Sequence, residues 1–80
     1  MKQRKWSLAK SYVRVTNEEG WEELLFVIQE RCGSKGGLLP VLYVPFARTN
    51  PAKNAGEDWQ EDGLKLAKEL VIAHNLSVQQ

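Results

Sequence analysis

Polar and apolar side chains alternate strictly over residues 11–16, a stretch rich in β-branched and aromatic residues, and this predicts a strand. Val13 and Val15 are expected to point to the core, with Tyr12, Arg14 and Thr16 on the opposite face. Thr16 and Glu19 then form a capping-box pattern. Trp21, Leu24, Leu25, Ile28 and Cys32 follow at helical spacing, and Gly33 suits the residue just past a helix end. The pattern predicts a helix over 17–32. A rival reading makes residues 17–20 a hairpin turn and 21–29 a second strand, a reading that Gly20 favours. Alternation there puts Leu24, Phe26 and Ile28 on one face and Trp21, Leu25 and Val27 on the other. A small domain rarely covers both sides of a strand, so the helix is preferred.

Residues 33–37 read as a loop and 38–46 as a second strand, with Leu42, Val44 and Phe46 inward and Val41 and Tyr43 outward. Pro40 and Pro45 each remove a backbone donor, so this strand should sit at a sheet edge or pair only in part. Residues 47–55 form a polar connection with a turn at Asn50-Pro51. Two overlapping helix starts follow, Asn54 with Glu57 and Asp58 with Glu61. Trp59, Gly63, Leu66, Ala67, Leu70, Ala73 and His74 then line one helical face, with Asn75 as a stop.

The predicted fold is α+β: a small two-stranded, or dimer-completed, sheet packed against two amphipathic helices in the order β-α-β-α. Its expected core is Trp21, Leu24, Leu25, Ile28, Leu42, Val44, Phe46, Trp59, Leu66 and Leu70. The chain reads as one small domain over 1–80, with a flexible basic arm over about 1–9 and a frayed tail over about 77–80.

Composition changes this picture little. With 42% hydrophobic and 26% charged residues the chain is ordinary for a globular protein, which excludes wholesale disorder. No apolar run approaches the roughly 18–20 residues of a membrane span. Ser7 and Lys10 interrupt the apolar residues after the basic start, so no signal peptide is expected. Cys32 is the only cysteine, which rules out an internal disulfide and points to the cytoplasm. At 80 residues the stability margin is thin, and self-association is the remaining way to gain buried area.

Charge changes it more. Every charged residue from 1 to 16 is basic, and residues 18–30 carry Glu18, Glu19, Glu22, Glu23 and Glu30, although the net charge is only +1. A helix dipole and capping would account for the acidic block. They do not account for Lys2, Arg4, Lys5, Lys10 and Arg14. These cations, with Trp6, Tyr12 and Tyr43, suit phosphate neutralisation and base stacking on a sheet.

Residues 33–37 have Ser and Lys in the wrong order for a phosphate loop, and the predicted helix precedes them instead of following. Cys32 and His74 are read as a small thiol and an imidazole on apolar helix faces, and Asp58, Glu61 and Asp62 as capping groups. No catalytic residue, cofactor or metal is therefore expected. The leading functional reading is a small non-enzymatic interaction protein, an adaptor or regulator of a larger cytosolic macromolecule. A homodimer through the edge strand near Val41 to Val44 would be one of its contacts. The alternative is a nucleic-acid-binding module whose surface is Lys2, Arg4, Lys5, Trp6, Lys10, Tyr12, Arg14 and Tyr43. No membrane contact is expected.

Overall fold

A computed structural model describes residues 4–32 and 36–78. The chain forms strands β1 (Trp6–Thr16), β2 (Glu22–Cys32) and β3 (Gly37–Asn50), a 3-10 turn (Pro51–Lys53), strand β4 (Ala55–Asp58) and one helix, α1 (Gln60–Val78). The four strands make a single curled antiparallel sheet in the order β1-β2-β3-β4, and α1 packs across one face of it. The two-stranded β-α-β-α arrangement is therefore incorrect. The first predicted helix is a strand; residues 47–50, expected in a connection, belong to β3, and β4 occupies 55–58, where the first of the two helix starts, Asn54 with Glu57, is expected. No helix of the described residues is long and apolar enough to cross a membrane.

The error at 17–32 has a local and a global cause. Locally, an Asn side chain outcompetes the capping box: Asn17 Oδ1 accepts from the backbone N–H of Glu19 at 2.9 Å and of Trp21 at 3.0 Å. The Asn17 N–H donates to the Trp21 carbonyl at 2.9 Å, closing the turn, and Gly20 supplies the positive φ of 87° that it needs. Globally, β2 lies between β1 and β3, so apolar residues on both of its faces are useful. The five-residue run from Leu24 to Ile28 fits an inner strand better than a helical stripe, which leaves Phe26 and Val27 aside.

The core lies between α1 and one face of the sheet. It consists of Phe26, Ile28, Val44, Phe46, Ala47 and Ala67, flanked by Trp6, Leu8, Leu24, Leu64, Leu70 and Val71. The Phe26 and Phe46 rings stack with centroids 4.1 Å apart, and Tyr12 meets Phe46 edge-on at 5.5 Å. Ile28, Val44, Phe46, Leu24 and Leu70 match the expected core. Leu66 does not: it is 49% exposed, because α1 turns Gly63 and Ala67 to the sheet instead.

The faces of β1 are inverted relative to the sequence reading. Tyr12 pairs with Phe26 and Arg14 with Leu24, on the helix side, whereas Val13 pairs with Leu25 and Val15 with Glu23 on the far side.

Asn50 is the buried polar post of the fold, fully shielded from solvent. Its Nδ2 donates to the Glu19 carbonyl, and its Oδ1 accepts from the Lys53 N–H, both at 3.3 Å. It thereby ties the β1–β2 turn to the β3–β4 connection. At Phe46, four residues before Asn50 on β3, α1 is brought onto the sheet by Gly63. A Cβ there would lie 2.7 Å from Phe46 Cβ, a rigid neighbour.

Gly63→Ala is accordingly expected to destabilise the protein by about 1–3 kcal/mol, the overpacking cost exceeding the roughly 1 kcal/mol gain in helix propensity. Urea denaturation measures this, and a variant as stable as the parent would show that α1 sits less tightly on Phe46 than the geometry requires.

Candidate interaction surfaces

The residues expected to form one basic, aromatic surface are dispersed by the fold. Lys2 lies outside the described residues. Arg4 and Lys5 are exposed just ahead of β1. Trp6 to Ala9, expected within a flexible arm, belong to β1. Lys10 is exposed in the irregular stretch between the Leu8–Ile28 and Tyr12–Phe26 pairs. Tyr12 leans on Phe46, and Arg14 follows on the same face. Tyr43 pairs with Val27 and so projects from the opposite face. One bound strand of nucleic acid could not stack on Tyr12 and Tyr43 together.

Trp6 is engaged within the protein. Its indole stacks on the His74 imidazole, with centroids 3.7 Å apart and planes within 6°. His74 Nε2 lies 2.7 Å from the Arg4 carbonyl oxygen; a carbonyl only accepts, so this nitrogen carries the proton. The Asn75 side chain imitates a strand. Its Oδ1 accepts from the Trp6 N–H at 2.8 Å, and its Nδ2 donates to the Trp6 carbonyl at 3.0 Å. Trp6 Nε1 also donates to Glu30 Oε2 at 3.4 Å. The spacing makes Asn75 a helix stop, but α1 runs past it to Val78, and its amide caps the open edge of β1 at Trp6. The usable signal was an amide placed beside a histidine in the otherwise apolar stretch from Leu70 to Leu76.

Cys32 is at the end of β2, paired through its backbone with Gly37, and not on a helix face. Asp58 performs the expected capping role, its Oδ1 accepting from the Gln60 N–H at 2.9 Å.

The face of the sheet turned away from α1 is the largest feature that the sequence reading missed. Along β2 the core takes Leu24, Phe26 and Ile28, so Glu23, Leu25, Val27, Gln29 and Arg31 project from the other side. Their paired neighbours there are Ser7, Val13 and Val15 on β1 and Leu38, Pro40, Tyr43, Pro45 and Arg48 on β3. Val15 is 54% and Tyr43 47% exposed. At one end Arg48 lies 4.9 Å from the Trp21 ring centroid and is ion-paired with Glu57 at 3.2 Å. No element of the described chain packs on this face.

The remaining open feature is the part of β3 ahead of Ala47, since β4 pairs only with Ala47 to Asn50. Pro40 and Pro45 adjoin the two register shifts between β2 and β3. Trp59 covers the far end of this edge, its Nε1 donating to the Pro45 carbonyl at 3.1 Å and its backbone N–H to the Phe46 carbonyl at 2.9 Å. A carbonyl and nitrogen of one strand residue point the same way, so the Pro45 nitrogen faces the open side and offers no donor there.

Comparison of the chain with protein-family models, curated proteins and solved structures finds no match in any of the three.

Replacing Asn75 by Leu should leave the Trp6 N–H and C=O without partners and cost about 1–3 kcal/mol in urea denaturation. Hydrogen exchange at the Trp6 amide should accelerate in the same variant. An unchanged Trp6 exchange rate would remove Asn75 from the role assigned to it.

Proposed function

We propose that this chain is a non-enzymatic interaction protein, an adaptor or regulator that acts by docking onto other macromolecules. The observation that supports it is the distribution of apolar surface. More large apolar side chains are exposed than apolar residues are buried among the described positions. They are also grouped: Val13, Val15 and Tyr43 on the far face of the sheet, Leu38 to Leu42 along β3, and Ile72 with Leu76 one turn apart on the outer side of α1. Isolated exposed apolar residues are normal, whereas contiguous groups mark contact surfaces. The nucleic-acid reading loses its main support, because Trp6 is stacked on His74 and the two tyrosines occupy opposite faces.

The test is a photo-crosslinking residue placed at Tyr43 and, separately, at Ile72, in the chain expressed in cells. Discrete adducts of defined mass are expected from at least one position; a smear or no adduct at both would overturn the proposal. In parallel, fluorescence anisotropy with labelled single-stranded RNA and DNA at two salt concentrations should show no tight binding. Salt-sensitive binding that is lost on Lys5→Glu or Arg14→Glu would restore the nucleic-acid reading instead.

A further inference from the structure

The far face of the sheet has a charge order of its own. Reading along β2 it runs Glu23, Leu25, Val27, Gln29, Arg31. Val27 is the midpoint: Glu23 lies four residues to one side and Arg31 four to the other, about 13 Å in each direction. Val27 itself is only 8% exposed, so the apolar surface of the centre is supplied by its neighbours, Val13 beside Leu25 on one side, and Tyr43 and Pro45 on the other. At the Glu23 end Arg48 stands between Glu23 and Glu57, so two carboxylates face one guanidinium and the end is net acidic. At the opposite end Arg31 is paired across the strands with Leu38, which brings no carboxylate to it.

An apolar centre with one acidic and one basic end is self-complementary under a two-fold rotation. We propose that this face binds a second copy of the chain, the two sheets stacked face to face with β2 antiparallel to its counterpart across a two-fold axis at Val27. The rotation sets the Glu23 of each copy over the Arg31 of the other, and the apolar centres on one another. It is an isologous contact, in which one patch meets itself and the assembly closes at two. Sheets stacked in this way lie about 10 Å apart and bury the alternate side chains of both inner faces. The β3 edge is the weaker route to a dimer, because Pro45 turns its donorless nitrogen to the open side and Trp59 covers that end.

This proposal rests on the interaction-protein reading and narrows it. The dimer occupies the sheet face and leaves the outer side of α1 for any larger partner.

Sedimentation equilibrium of the intact chain over a range of concentrations tests it, with far-UV circular dichroism confirming that each variant is folded. Glu23 and Arg31 are exposed, so their substitution leaves the core untouched. The parent should sediment as a dimer. Glu23→Arg and Arg31→Glu should each weaken the dimer at least about tenfold, by placing like charges opposite one another. The double variant, with both signs exchanged, should regain it. Tyr43→Glu should give a monomer. A monomeric parent, or a dimer indifferent to these substitutions, overturns the proposal. A monomer that still gives discrete crosslinks to another protein from Ile72 overturns the dimer alone and leaves the interaction-protein reading standing.

Discussion

The structure depends on the approach of α1 to Phe46. One helix can cover one face of a four-stranded sheet, and Gly63 and Ala67 let it do so at close range. That contact decides which face of every strand is inside. Once Phe46 and Phe26 stack beneath the helix, the pairing of Tyr12 with Phe26 puts Tyr12 on the covered side. Val13 and Val15 are thereby turned outward, because successive strand residues point to opposite faces. At its other end the helix holds β1 by the Asn75 amide and the His74 ring. The fold is thus a sheet clamped at two corners by one rigid element, with its second face left open.

The elements of the second half were partly legible in the sequence, and the reasons are local. Asp58 caps a helix that buries Gly63 and Ala67 and packs Leu70 against the core, all three on the face the spacing implied, although Leu66 of that face is exposed. The prolines implied an edge or partial pairing, and it is the second that holds: β3 lies between β2 and β4 but is unpaired on the β4 side ahead of Ala47. The first half was misread because its decisive information is not local. Asn17 and Thr16 offer two competing turn chemistries, and both are good ones. What settles the choice is that β2 has a neighbour on each side, a property of the whole sheet. Apolar residues on both faces of 21–29 argue against a strand only if each apolar face must be covered, which a small domain rarely manages. Here the second face is left without a covering element among the described residues, and only the curl of the sheet shelters Val27.

The site residues were misgrouped for the same reason. Tyr12, Arg14 and Tyr43 share a surface only if Val13 and Val15 face the core. A choice of strand parity reverses every such assignment together, so a single error separates an expected surface into two. Asn75 and His74 were misread for a different reason. Their partners, Trp6 and Arg4, lie about seventy positions away in sequence, and side-chain pairing over that distance leaves no periodic trace.

The charge order along the chain takes a new meaning from the sheet. With no helix over 17–32 the dipole cannot explain the acidic block. Glu18 and Glu19 belong to a turn, Glu30 receives the Trp6 indole N–H, and Glu23 stands at one end of the open face beside Arg48. Antiparallel pairing folds the basic segment of β1 back along β2, so charges that are separated in sequence are brought side by side on the sheet. An uncovered apolar face flanked by unlike charges is costly to leave in water, yet it specifies register for whatever covers it. Apolar burial supplies the attraction without direction, and the charged ends penalise every alignment that sets Glu23 over Glu23 or Arg31 over Arg31. The same residues that make the lone sheet appear unfinished are those that would choose its partner and its orientation.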